Sequence, residues 1–210
     1  CVTITPGVTL PEAPPAQAAA RAGLGLAPGI VYALLIANDP VRKGLQAILQ
    51  ALPRLPAHVH LMVVGGENGM PERVRALAAQ SGLAERVHVW PGQSEVAPFY
   101  AAADLCVFPT LGDAFGMVPL EAMAYGLPVI VSNARYCGFA RHVQAGVQAL
   151  VLNDPRDPAE VAGAMRAVID DGQLAQTLRS NGHALAQQFS WQSVAQAYAE
   201  LYRDVCTAAR

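Results

Sequence analysis

No apolar run in these 210 residues approaches the roughly 18 that a membrane span requires. The longest, IVYALLIA at 30–37, has the length of a strand. A surplus of positive charge is missing too. The net charge is −2, which gives no sign of the broad basic surface that nucleic-acid binders use. Cysteine is scarce: Cys1, Cys106, Cys137 and Cys206 lie far apart with no CxxC pair. That spacing suits a metal site poorly and points to reduced thiols in a cytosolic setting. There is no signal-peptide pattern and no internal repeat. No GxGxxG follows the first apolar run, and Gly65, Gly66 and Gly69 do not fit that register, so a dinucleotide fingerprint is disfavoured.

What is present argues for a well-packed core. The hydrophobic share is 53%, well above the level at which a chain stays disordered. The length fits one domain, or one domain with an added helical tail. The chain starts with Cys1 rather than Met, and its opening CVTITPGVTLPEAPPAQ is rich in Pro, Gly and Thr. This composition predicts a linker, and with it an excised piece of a longer protein, with a processed or tag-cleaved full-length protein as the alternative. The expected division is a lead-in over 1–28, a domain over 29–189 and a terminal helix over 190–210.

From residue 30 onward, apolar runs of strand length alternate with helical patterns. Strands are predicted at 30–36, 58–64, 86–90, 105–109, 128–132 and 148–152. Helices are predicted at 42–52, 71–81, 94–103, 116–125, 158–171, 173–187 and 190–206. Pro71 suits a first helical turn and Gly82 a helix end. Asp157-Pro158 reads as a cap followed by a helix-opening proline, and Ser190 as a further N-cap. Regular β-α alternation with near-continuous apolar strands predicts an α/β fold, a Rossmann-like parallel sheet with helices on both faces. Ligands of such sheets sit at the carboxyl ends of the strands, near the point where strand order reverses.

Four segments at predicted strand ends carry candidate chemistry. NDPVRKG places Arg42 and Lys43 near a helix start, where their charge has the wrong sign for the dipole and a nearby anion would account for them. VVGGENG at 63–69 contains Gly65 and Gly66, which permit close backbone approach. WPGQSE adds Trp90, Pro91 and Gly92. In DAFGMVPLEAMAYG, Asp113 and Glu121 flank a Phe115–Gly116 step, and Glu121 lies inside an otherwise apolar helix. A carboxylate there needs a partner, and the amides opening the helix need an acceptor that a phosphate would supply. Other readings stand beside these. Glu121 could be bridged to Arg42 or Lys43, Asp113 could cap the following helix, and Arg42 could be solvated. His58 and His60 share a strand face without a third ligand, which favours a structural role. His142 and His183 read as ordinary surface or helix-end residues, and Trp191 and Tyr198 as packing residues of the last helix.

Taken in order, VRKG, VVGG, VHVWPG, FYAAADLCVFPT, the DAFGMVPLEAMAYGLPVIVS block and the late FSW resemble the C-terminal domain of retaining glycosyltransferases of family 4 (glycosyl transferases group 1), which have the two-domain GT-B fold. The likeness runs from TPGV to Trp191. Within it, CGFARHV at 137–143 is similar to lipopolysaccharide core glucosyltransferases.

The resemblance implies a donor site for a nucleotide diphosphate sugar, UDP- or GDP-linked, with no cofactor and no metal. Glu121 would accept from the ribose hydroxyls, and Asp113 would face the donor sugar. The family usually has Glu at the latter position, one methylene longer. Lys43 would neutralise the pyrophosphate with Arg42 beside it, while Ala37 stands where many members place an arginine. Amides of Gly116, Met117 and Val118 would cradle the distal phosphate, with Phe115, Gly65 and Gly66 nearby. Trp90, Pro91 and Gly92 would hold the base through their backbone. Asp113 and Lys43 would be the residues nearest the chemistry. Implied partners are an N-terminal GT-B domain, toward which the 190–210 helix would cross, and a saccharide or lipid-linked acceptor. The implied setting is cytoplasmic, peripheral to the inner face of the plasma membrane. A non-catalytic nucleotide-binding or interaction module, and a GT-B sugar-nucleotide epimerase, are the alternatives.

Overall fold

The computed structural model describes residues 3–67 and 69–208. Cys1 and Asn68, which entered the sequence reading, lie outside the described residues. Six strands form one sheet: β1 (Val31–Ile36), β2 (Val59–Val64), β3 (Val87–Trp90), β4 (Leu105–Phe108), β5 (Val129–Ser132) and β6 (Leu150–Leu152), in the order β3-β2-β1-β4-β5-β6. Every neighbouring pair is parallel. The residues of β4 and β5 are buried without alternation. A strand buried on both faces lies in a sheet covered on both, as the unbroken apolar runs predict.

Chain order reverses between β1 and β4, the central pair. Their carboxyl ends therefore open a crevice between two diverging halves of the sheet. The loops facing it lead into α2 (Leu45–Ala51), α3 (Met70–Gln80), α4 (Ala97–Ala102) and α5 (Met117–Ala124). The remaining helices are α1 (Gln17–Gly23), α6 (Pro158–Asp170), α7 (Gly172–Gln188) and the tail α8 (Trp191–Ala208).

Most predicted boundaries hold for the reasons that suggested them. Pro71 lies in the first turn of α3 and Gly82 follows its end at φ 69°. Asp157 accepts from the Ala159 amide at the start of α6, and Ser190 Oγ accepts from the Ser193 amide at the start of α8. Two differences matter. The segment before Leu45 is a turn rather than helix, because Gly44 is left-handed at φ 89°. Its Cβ position lies 2.1 Å from Pro109 O, so only glycine fits there. The stretch read as linker also contains α1. Arg21 of α1 binds Asp104 at 2.6 Å and the Ala102 carbonyl at 2.9 Å.

The two ends of the chain meet. Val8 donates to Phe189 O, Trp191 donates to Val8 O, and Gly7 is packed so closely on Trp191 that a Cβ would lie 2.7 Å from its ring. Beyond that contact α8 leaves a stripe of large apolar residues in solvent: Trp191, Tyr198, Tyr202 and Val205.

Candidate functional site

The turn after β1 delivers Lys43 into the crevice. Its backbone is fixed by the Lys43 amide donating to Asp39 O and the Arg42 amide to Asp39 Oδ1. Lys43 as a whole residue is 9% exposed. Its amine donates to Asp113 Oδ2 at 2.6 Å and to Gly112 O at 3.1 Å, and lies 5.5 Å from the centre of the Phe108 ring. An ammonium has three N–H donors, so one remains for a further acceptor. Arg42 points outward and pairs loosely with Asp39 at 3.7 Å.

Asp113 is clamped as firmly as its partner. Its amide donates to Tyr136 O, its carbonyl accepts from the Gly138 amide, and Oδ1 accepts from the Phe115 amide at 3.1 Å. The helix that follows is capped by Gly116, not by Asp113. Gly116 has φ 101°, and a Cβ there would lie 2.5 Å from Cys137 Sγ. Cys137 is in turn buried, which pushes its thiol up to about 11. This packing fixes the start of α5, where Met117 and Val118 line the crevice. The Phe115 ring turns the other way, against Phe139, His142 and Phe189 at 5.7, 6.0 and 6.3 Å. It wedges the loop in place and does not line the crevice.

Glu121, one turn into α5, is bound neither to Arg42 nor to Lys43. Its Oε2 accepts from the hydroxyl of Tyr100 at 2.6 Å. Burial first, and then the Glu121 charge, push the Tyr100 phenol well above its ordinary value, so it stays a donor. Tyr125 stacks on Tyr100 with ring centres 5.0 Å apart.

Two adjoining clefts lie above the strand ends. One, of about 300 Å³, is lined by Arg42, Lys43 and Asp113 with Met117 and Val118. The other, of about 360 Å³, is lined by Gly65, Glu67, Gly92, Gln93, Ser94 and Val96. Ile36 and Asn38 belong to both. Thus Arg42, Lys43, Met117 and Val118, named for the phosphate end, line one cleft, Gly65 and Gly92 line the other, and Gly116 and Glu121 line neither. The glycines' close approach is to the chain itself: a Cβ on Gly65 would lie 2.3 Å from Ala37 O. The Gly65 amide donates to Trp90 O, and the Gly92 amide to Gly66 O, zipping the two loops together. Trp90 packs edge-on against Phe99 at 5.2 Å. Gly66, Trp90 and Pro91 therefore shape the second cleft without lining it.

A cavity of about 360 Å³ between Thr3–Thr5 and α8 carries Glu200 and Asp204 and no cation, so it suits a diphosphate badly. Among the described residues no group of three His, Cys, Asp or Glu stands close enough to hold a metal. His60 has a partner that the sequence reading missed: its Nδ1 lies 3.0 Å from His88 Nε2. Asn38 and Tyr100 were also not singled out. Asn38 was legible only as part of NDPVRKG, and Tyr100 only as a hydroxyl in an apolar helix.

The family model described as glycosyl transferases group 1 matches residues 28–171. The chain is 37% identical over 208 residues to a D-inositol 3-phosphate glycosyltransferase of Xylanimonas cellulosilytica, covering 95% of this chain and 48% of that protein. The chain thus spans about half the length of the curated relatives it matches. Sucrose-phosphate synthase from Thermosynechococcus elongatus superposes with a TM-score of 0.83 at 31% identity, over 98% of this chain and 52% of that one. Anabaena HepE in complex with UDP-glucose superposes with a TM-score of 0.83 at 27% identity, over 96% and 57%.

Proposed function

We propose that this chain, which belongs to the glycosyl transferases group 1 family and has the fold of the C-terminal half of a GT-B enzyme, holds the nucleotide diphosphate end of a sugar donor in its paired clefts. The observation that carries this reading is Lys43: a buried ammonium with one uncommitted N–H, in a cleft with Arg42, beside the open amides of α5. A buried cation held by one carboxylate and one carbonyl, next to a helix start, has the electrostatics of an anion site.

The bound UDP-glucose of HepE supports a uridine donor. In this reading the diphosphate lies against Lys43, Arg42 and the amides of Gly116, Met117 and Val118. The nucleoside extends over Ile36 and Asn38 into the second cleft, with its ribose on Glu121. Transfer of a hexose passes through an oxocarbenium-like transition state, and negative charge grows on the departing diphosphate. The fixed Lys43 ammonium and the helix amides stabilise that charge without reorganising, with Arg42 swinging in beside them. Asp113 holds Lys43 in place and faces the sugar. With retention of configuration, the hexose goes to a saccharide or lipid-linked acceptor supplied largely by an N-terminal domain, against which the exposed stripe of α8 packs. The segment Cys137–Val143 favours a lipopolysaccharide or other envelope glycan. The names of the curated relatives favour a phosphorylated cyclitol instead. Nucleotide sugars put the reaction on the cytoplasmic side of the membrane. Among the described residues no helix is long and apolar enough to cross it.

Calorimetric titration with UDP, GDP and their glucose and mannose conjugates tests the reading. Binding of one nucleotide family is expected. No heat from any of them at millimolar concentration would leave a non-catalytic module.

A further inference from the structure

Glu121 and the residue that holds it, Tyr100, stand behind the two clefts and line neither. Tyr100 is only 1% exposed. Its ring stacks on Tyr125 with 18° between the planes, and its hydroxyl donates to Glu121 Oε2. Hydrogen bonds to an ionised acceptor are short and strong, and they fix the acceptor's direction. The ring is immobilised by burial, so the bond constrains the carboxylate rather than the phenol.

The two helices that carry this pair each reach one cleft. Met117 lines the first cleft, and Glu121 is four residues further on the same face of α5. Val96 lines the second cleft, and Tyr100 is four residues beyond it. The Tyr100–Glu121 bond therefore ties the two helices together one turn beyond the residues with which each reaches its cleft. With Oε2 committed to Tyr100, Oε1 is left; among the described residues no hydrogen bond to Oε1 is formed.

Resting on the donor-site reading above, we infer that Tyr100 is a positioning residue for ribose recognition. It occupies one oxygen of Glu121 and presents the other to the vicinal hydroxyls of the nucleoside. A purely packing tyrosine would affect all nucleotides alike. A positioning tyrosine acts only on those with ribose hydroxyls to be received.

The test compares UDP with its 2′,3′-dideoxy analogue on the 210-residue chain, as wild type, Tyr100→Phe, Glu121→Gln and the double variant. Wild type is expected to prefer UDP. Tyr100→Phe is expected to reduce that preference about tenfold, the size of one hydrogen bond to a charged group, while binding the dideoxy nucleotide as wild type does. Unchanged dideoxy binding also shows that the variant is folded. In Glu121→Gln the preference should largely vanish, and adding Tyr100→Phe should take away little more. Equal weakening of both nucleotides in Tyr100→Phe, or an undiminished preference, overturns the inference while leaving the donor site standing. Tyr100→Phe that does not fold overturns it equally, because the hydroxyl would then serve the core. Failure of wild type to bind UDP or GDP at all overturns the donor-site reading itself.

Discussion

Lys43 and Asp113 place opposite charges where little water reaches them, with side chains 11% and 21% exposed. Removing one partner of such a pair costs more than the pair contributes, because the other charge is stranded. Lys43→Met should lower stability by about 2–4 kcal/mol and abolish nucleotide binding. Chemical denaturation and titration with UDP read these separately. A variant of undiminished stability would mean that Asp113 finds water or another donor at once. His60 and His88 act in a different sense. Burial, then the charges of His88 and Arg86, hold His60 below its ordinary 6.5. Burial also lowers His88, against the pull of Glu85. His58 lies nearby, and Tyr32 meets both rings edge-on. As pH falls below 6.5 the unfolded chain takes up protons that the folded pair resists, so their contribution is full above that pH and lost beneath it. The difference in urea midpoint between about pH 7.5 and about pH 5.5 should therefore shrink in His88→Phe. An identical difference in wild type and variant would assign the acid sensitivity to other groups.

At the level of elements, the strands were legible because a sheet covered on both faces needs unbroken apolar runs, and β1, β2, β4 and β5 have them. Helix α1 was not legible. Gln17–Gly23 buries only Ala20, so no apolar stripe announces it. Its anchors are side chains reaching the 102–104 backbone far along the chain, through Gln17 to Ala103 O and Arg21 to Ala102 O. The site divides in the same way. Charge out of place in the sequence pointed to Lys43, Asp113 and Glu121. Who answers each charge was decided by packing, which set Lys43 on Asp113 and Glu121 on Tyr100. For α1 the consequence is local. Arg21→Ala removes the ion pair to Asp104 and the cation 5.1 Å from the Tyr32 ring. It should cost about 1–3 kcal/mol, with amide protection lost first over Gln17–Gly23. Uniform loss of protection across the sheet would show that α1 unfolds only with the whole.

At the scale of the whole molecule, the reversal of strand order between β1 and β4 places four loops around one crevice, and Arg42, Lys43 and Asp113 converge there. These groups are suited to a diphosphate and a nucleoside. In the proposed reading the acceptor is supplied largely by an N-terminal domain, and catalysis by group transfer needs both reactants held in line. The 210-residue chain alone is thus expected to bind nucleotide and to release no hexose to an acceptor. Incubation with UDP-glucose and candidate acceptors, read by mass spectrometry of the products, checks this. Supplying the N-terminal half of a D-inositol 3-phosphate glycosyltransferase relative, fused ahead of Val8, should bring transfer with it, because the tie of Val8 to Phe189 and Trp191 would seat that half beside the exposed stripe of α8. Transfer by the chain unaided would mean that the acceptor docks on this half, and the division of labour between the two halves would then be wrong.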